Sequence, residues 1–376
     1  MIYFDNAATG GFKPSGCYEA AINALKNLNA NPGRSGHRLS LAASSSLFAA
    51  RKSLARFFGA TSPERVVFMP SCTYALNAAI FGLYKKGGRV ITTVTEHNSV
   101  LRPLFELERR GEITLTIVTP ESSAVTAADI EKNLSDDVCL VCVNGVSNVT
   151  GTENDIDGIG RLLKKTTALF LVDGAQMSGH VPINAERQAI DVLCVPSHKG
   201  MLGIVGAGAL ILSNKARIRP FAFGGTGFDT FSKTMPEDLP ESLEAGTINL
   251  PACLSMKEGA DYLSDNVNYV SNQLKNMTEY LISELSVRPY VKLYSIPNRS
   301  GIVAFSHNDI SSQALSEILS ERYDIATRGG FHCAPLMHKF LKTEKLGLVR
   351  VSLSPQNTRK EINAFLFALG EISQSV

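Results

Sequence analysis

Two apolar runs in this chain end in residues that can do chemistry. Leu169-Phe170-Leu171-Val172 leads into Asp173-Gly174-Ala175-Gln176, and Val192-Leu193-Cys194-Val195-Pro196 leads into Ser197-His198-Lys199. Short apolar runs bounded by turn residues read as buried strands of a parallel sheet, and open α/β enzymes carry reactive groups at the carboxyl ends of such strands. An aspartate or lysine alone at such a place commonly serves as a cap or a surface charge. The pair does more, because pyridoxal phosphate (PLP) needs a lysine to hold its aldehyde and an acid to keep its pyridine nitrogen protonated as an electron sink. Gln176, three residues beyond Asp173, falls within reach of the cofactor's phenolic oxygen. Ser197 and His198, with Gly200 and Gly203 following Lys199, form a loop that can offer a hydroxyl and backbone N–H groups to phosphate.

A second anion site is readable upstream. Val66-Val67-Phe68-Met69 is a buried strand, and Pro70-Ser71-Cys72-Thr73 opens a helix, so the free N–H groups and dipole of the helix start face whatever sits there. Ser71, Cys72 and Thr73 are assigned to the phosphate, mainly through backbone and the Thr73 hydroxyl, although Ser or Thr at a helix start is often only a cap. Further strands follow at Arg89 to Val94, Thr114 to Val118, Val138 to Val143 and Ala207 to Leu212, with helical segments such as Leu41 to Phe58 and Asp155 to Lys165 among them. Such alternation requires crossovers and predicts a mainly parallel sheet of seven strands. A long helical stretch from about Ala252 to Leu285 then leads to a smaller α+β domain with strands near Gly301 to Phe305 and Leu348 to Leu353. The expected division is 1–251 and 252–376.

Composition narrows the function classes. The chain has 376 residues, 44% hydrophobic and 19% charged, enough for a large core and a second, smaller domain. Its 37 basic and 35 acidic residues leave a net charge of +2, which makes no broad electrostatic case for nucleic acid or a membrane surface. Residues 1–10 lack a basic region followed by an apolar one, and no apolar run reaches membrane-spanning length, so a cytoplasmic location is expected. Seven scattered cysteines without a disulfide framework suggest reduced thiols, and the one C-x-x-C spacing, Cys139 to Cys142, is the only metal- or redox-like pattern among them. Cys139 and Cys142 lie within one apolar run, where strand alternation predicts thiols on opposite faces, packed in the core.

Asp173-x-x-Gln176 with Ser197-His198-Lys199 resembles the class V aminotransferase family of fold-type I PLP enzymes, and the motifs run in family order from Asp5 to Arg350. Cysteine desulfurases and selenocysteine lyases are the nearest members. The resemblance implies further roles. His97, in Thr95-Glu96-His97-Asn98, lies over the cofactor ring, where imidazole can stack and shuttle protons. Asn148 lies beside the phenolic oxygen and the substrate carboxylate. Ala8, in a segment folding back over the site, neighbours substrate. Asn31 to Arg38 is an entrance segment facing a partner subunit's pocket, and Thr247, in Leu243 to Asn249, reaches a partner's phosphate, which implies a homodimer with shared sites. Cys72 stands where relatives often carry threonine.

A second reactive centre is Arg328-Gly329-Gly330-Phe331-His332-Cys333-Ala334-Pro335. A lone cysteine is usually a small buried hydrophobe. Here glycines, a proline, Arg328 and His332 describe an exposed loop in a basic setting, the surroundings of a nucleophilic thiol. The segment resembles the short cysteine loop of group II cysteine desulfurases, whose nucleophile corresponds to Cys333, with Phe331 where many relatives carry a second histidine. Arg350, in Val349-Arg350-Val351, matches the family's arginine for the α-carboxylate, a planar bidentate role that lysine fills poorly. Arg328 is a further candidate at the substrate. The resemblance therefore implies conversion of L-cysteine to L-alanine with a persulfide on Cys333, or selenocysteine lyase action, with a sulfur or selenium acceptor protein as a further partner. Two other readings stay open: a lyase or epimerase of the same family on another amino acid, and a non-catalytic sulfur-delivery protein.

Overall fold

The computed structural model describes residues 1–375. A two-residue strand, β1 (Ile2–Tyr3), opens the chain and is followed by helices α1 (Ser15–Asn27) and α2 (Arg38–Phe58). Seven strands then build the large sheet: β2 (Val66–Met69), β3 (Gly88–Thr93), β4 (Ile113–Val118), β5 (Val138–Asn144), β6 (Leu169–Asp173), β7 (Val192–Pro196) and β8 (Gly208–Leu212). Helices α3 (Cys72–Leu83), α4 (Asn98–Arg109), α5 (Ala127–Glu131) and α6 (Ile156–Leu163) lie between them.

The sheet order is β2-β8-β7-β6-β5-β3-β4, and β8 alone runs against its neighbours. All other strands therefore present their carboxyl ends at one edge, where Asn144 and Asp173 end β5 and β6, and Ser71, His97 and Lys199 follow β2, β3 and β7. The central strands are buried on both faces: Val141, Val143, Phe170 and Val172 pack into one apolar cluster, and Leu140, Cys142, Leu171 and Cys194 into another. That two-sided burial explains the unbroken apolar runs of the sequence.

Strand β5 departs from the expected alternation. Arg89 pairs with Val138 and Val90 with Leu140, so Cys139 is an extra residue in the ladder. This bulge turns Cys139 into the same apolar cluster as Cys142, rather than onto the opposite face. Both thiols remain free and buried.

No helix or strand occurs between β8 and the 37-residue helix α7 (Leu250–Ser286), so the expected division at 251/252 falls in the first turn of α7. The smaller unit contains β9 (Val291–Leu293), β10 (Ile302–His307), α8 (Ser312–Tyr323), β11 (Ile325–Ala326), β12 (Arg328–Gly330), α9 (Pro335–Phe340), β13 (Leu348–Ser352) and α10 (Arg359–Gln374). Its antiparallel sheet has the order β12-β13-β10-β9, while β1 pairs in parallel with β11. The amino-terminal segment thus belongs structurally with the smaller sheet before the chain crosses to the larger one. Among the described residues no helix is long and apolar enough to cross a membrane, and no group of three or more His, Cys, Asp or Glu could hold a metal ion.

Candidate active site

The strand ends enclose a cavity of about 550 Å³, mouth included, lined by Ser71, Cys72, Thr73, His97, Asn148, Asp173, Gln176, His198 and Lys199. Nine of the residues proposed from sequence thus share one space. Ser99, Asn144 and Ala175 line it as well.

Its lining carries one carboxylate, Asp173, and one ammonium, Lys199. Asp173 is buried at the end of β6, and its Oδ1 accepts the Ala175 N–H at 2.9 Å and faces the Cys72 thiol at 3.8 Å. Burial raises its pKa, opposed by that N–H and by Lys199. Burial also pulls the Lys199 ammonium down, opposed chiefly by Asp173. Both groups line the same cavity. The Cys72 thiol is pushed well up by burial and then by Asp173, so it stays protonated.

At the α3 start, Ser71 caps the helix by accepting the Tyr74 N–H on its Oγ at 3.2 Å. Cys72 and Thr73, in the first turn, have no intrahelical acceptor for their own N–H groups. A Cβ at Gly208, the first residue of β8, would stand 2.8 Å from the Ser71 carbonyl carbon and 2.9 Å from the Cys72 nitrogen, so only glycine lets β8 approach this turn. The Thr73 hydroxyl meets that of Ser99 at 2.8 Å.

His97 is the N-cap of α4. Its Nδ1 accepts the Ser99 N–H at 3.0 Å and lies 2.9 Å from the Ser99 hydroxyl, so the ring proton of the neutral form sits on Nε2. Burial and then Lys199 lower its pKa to about 4, which keeps the imidazole neutral at ordinary pH. His198, lowered to about 4 by the same two causes, is tied to Thr9 at 3.2 Å, and its carbonyl accepts the Gly10 N–H. The adjoining Gln176 donates from Nε2 to the Ala7 carbonyl at 2.8 Å and leaves its buried Oε1 without a partner.

Other expected residues lie outside this cavity. Ser197 points its buried hydroxyl inward, where a Cβ at Gly203 would collide with it, so the loop shows His198 and Lys199 to the cavity and hides Ser197. Ala8 sits one residue past the carbonyl held by Gln176. Thr247 is exposed beside Asn31, whose Nδ2 donates to its hydroxyl at 3.3 Å, away from this chain's own cavity.

Arg350 is 1% exposed at the middle of β13. It donates from Nη1 to the Asn148 carbonyl and from Nη2 to Asp5 Oδ1, each at 2.9 Å, and its Nε has no partner. Arg328 is its direct antiparallel neighbour, which places both guanidinium stems on one face. Cys333 is exposed five residues on, with Arg328 Nη2 at 3.9 Å from its Sγ. His332 and Cys333 both adopt left-handed backbone, φ 49° and 56°, which side chains with a Cβ rarely do. Two bonds hold that conformation: Asn148 Nδ2 donates to the His332 carbonyl and the Asn98 N–H to the Cys333 carbonyl, both at 2.7 Å. The Asn148 amide is thus committed to the cysteine loop, with Oδ1 left unpartnered. Behind the loop His332 stacks on His338, and Phe331 meets His338 edge-on.

A groove with Cys333 on its wall shares Thr73, His97 and Ser99 with the cavity, so the two centres adjoin. Sequence reasoning missed Ser99, Asn98 and Asp5. Ser99 was findable, since a hydroxyl two residues after a capping histidine falls on the same turn; the other two act through contacts that only the fold creates.

The chain is similar to known proteins along nearly its whole length. The class-V aminotransferase family model matches residues 2–365. A protein of Methanothermobacter thermautotrophicus named "Probable cysteine desulfurase" is 33% identical, covering 99% of this chain and 94% of its own. The Haloferax volcanii protein named "Cysteine desulfurase" is 29% identical over 98% of this chain and 88% of its own. The solved apo structure of a cysteine desulfurase from Thermococcus onnurineus superposes with a TM-score of 0.91 at 28% identity, covering all of this chain and 95% of that one. The chain belongs to the class-V aminotransferase family, whose fold-type I members work with PLP.

Proposed function

We propose that this protein is a PLP-dependent cysteine desulfurase, converting L-cysteine and the Cys333 thiol into L-alanine and a Cys333 persulfide. The observation that carries the reading is the adjacency of two centres: a cavity holding Asp173 and Lys199, and Cys333 on a groove that shares its wall. The relatives' names support the same activity.

The cavity fits the cofactor. Its size, the unpartnered Gln176 and Asn148 oxygens, the glycine-permitted approach of β8 and the free N–H groups of the α3 start suit an aromatic ring carrying a phosphate. When bound, PLP supplies an aldehyde for the substrate amine and an electron-poor ring to take the electron pair from Cα. Asp173 would hold the proton on the pyridine nitrogen. Ser71, Cys72 and Thr73 would hold the phosphate with His198, and His97 would cover the ring while offering its Nε2–H. Lys199 would hold the aldehyde carbon and, released by substrate, move the proton at Cα. Arg350, with Arg328 beside it, would bind the α-carboxylate near Asn148 and Ala8.

Cys333 Sγ would attack the substrate sulfur. The new S–S bond forms as the Cβ–S bond breaks, the electron pair stays with the carbon fragment, and protonation at Cβ completes alanine. The persulfide then passes to an acceptor thiol, and selenocysteine fits the same pocket. Thr247, exposed beside Asn31 and away from its own cavity, would reach a second copy in a cytoplasmic homodimer. Ser197 is best read as a structural hydroxyl.

Quantifying alanine together with sulfide or selenide from L-cysteine and L-selenocysteine tests the function. Alanine in step with sulfur is the expected result. Pyruvate or a racemised amino acid would replace this reading with a lyase or epimerase, and absence of the cofactor's visible absorbance in purified protein would point to a delivery protein.

A further inference from the structure

The guanidinium proposed for the substrate carboxylate already holds a carboxylate. Asp5 Oδ1 lies 2.9 Å from Arg350 Nη2, with side chains 23% and 1% exposed respectively. Of the five N–H groups of Arg350, Asp5 and the Asn148 carbonyl take two. The remaining donors, Nε among them, are enough for a second carboxylate at the same group. Asp5 is the carboxylate paired with Arg350, and Arg328 stands opposite across the ladder. The local charge is therefore +1 with Asp5 and +2 without it.

Asp5 is anchored by its backbone neighbours, independently of its charge. The Ser352 N–H donates to the Phe4 carbonyl at 2.7 Å, Asn6 Nδ2 donates to the Ser352 carbonyl at 2.8 Å, and the Ala7 N–H donates to Ser352 Oγ at 3.0 Å. Gln176 then ties the Ala7 carbonyl to the cavity. The Asp5 carboxylate is thus held next to Arg350 by a segment stitched to both domains.

We infer that Asp5 is a positioning residue that shares Arg350 with the substrate carboxylate and lowers the affinity of the site for it. The inference rests on the assignment of Arg350 made above. Its physical basis is like-charge repulsion between two carboxylates on one desolvated guanidinium. Substrate and alanine carry the same α-carboxylate, so a site with unshared charge would retain the product. Asp5 keeps Arg350 oriented while leaving the site weak enough to release alanine.

The test is Asp5→Asn in the holoenzyme, which keeps an acceptor oxygen and removes the charge. L-alanine binding by titration calorimetry, KM and kcat for L-cysteine, and thermal unfolding are measured alongside Arg350→Ala. Alanine is expected to bind about tenfold tighter in Asp5→Asn, with KM and kcat both reduced even as loss of the charge partner lowers the unfolding temperature. Unchanged or weaker alanine binding in Asp5→Asn, with binding lost in Arg350→Ala, would overturn the role of Asp5 and leave Arg350 in place. Full alanine affinity in Arg350→Ala would remove the Arg350 assignment and this inference with it. A merely structural aspartate would lower the unfolding temperature without tightening alanine binding.

Discussion

Asp173 is the last residue of β6 and Lys199 stands three residues past β7, and their chemistry comes from desolvation. Cys333 is exposed on a loop of the smaller domain, and its placement comes from backbone held in an uncommon conformation by two hydrogen bonds from other elements. The first centre needs partial desolvation, because away from bulk water a carboxylate and an ammonium act more strongly on a molecule that both contact. The second needs access, because a sulfur atom must arrive from one side and leave to another. The shared residues Thr73, His97 and Ser99 join the two environments.

Mutations sharpen this contrast. Lys199→Ala should remove at least about 10³-fold of turnover, the scale of positioned acid–base catalysis, with loss of covalently held cofactor, measured by borohydride reduction and mass spectrometry. Arg350→Lys keeps the charge but removes the planar donor, so KM for L-cysteine should rise about 10- to 100-fold with a smaller change in kcat. A change confined to kcat would place the carboxylate elsewhere.

Asn98→Pro probes the cysteine loop alone. Residue 98 is the first of α4, where proline is tolerated, and His97, at φ −74° and ψ 154°, already has the backbone that a following proline requires. The substitution removes the N–H that holds the Cys333 carbonyl. Sulfur transfer should slow about tenfold, the scale of one hydrogen bond, with the cofactor spectrum unchanged. Altered cofactor binding would show that the two centres are not separable.

Glu96 gives the smallest effect, one of stability. It is buried beside His97, its Oε1 accepting from the Thr93 hydroxyl and the Asn144 N–H, and burial raises its pKa to about 8 against an ordinary 4.5. The folded chain therefore binds this proton more tightly than the unfolded chain. Its stabilising effect is complete below about pH 4.5 and is lost as pH rises through about 8. Glu96→Gln should flatten the fall in urea midpoint between about pH 4.5 and pH 8, and an equal fall in both proteins would assign it to other groups.

Much of the first centre was legible because it is local. Each strand end puts its polar residue a fixed few positions after an apolar run, so Asp173, Lys199 and the α3 start could be read from spacing, while the role of His97 came only with the family resemblance. The direction of a loop side chain could not, and Ser197 shows this: its neighbours face the cavity while Gly203 makes room for its hydroxyl inside. Nor could the Cys139 bulge, which depends on the register of a partner strand. Of the second centre, composition showed only an exposed basic loop around Cys333, and the roles of Cys333 and Arg350 came with the family resemblance. Its clamps join residues far apart in sequence, Asn98 with Cys333 and Asp5 with Arg350, which no local pattern encodes.

The most direct test of the division of labour is a single-turnover reaction of L-cysteine with wild type and Cys333→Ala, with alanine quantified and the protein examined by mass spectrometry. Wild type should gain one sulfur atom on Cys333 for each alanine released, while Cys333→Ala keeps the cofactor's absorbance and releases neither. Stoichiometric alanine from Cys333→Ala would contradict the account and return the sulfur chemistry to the buried cavity.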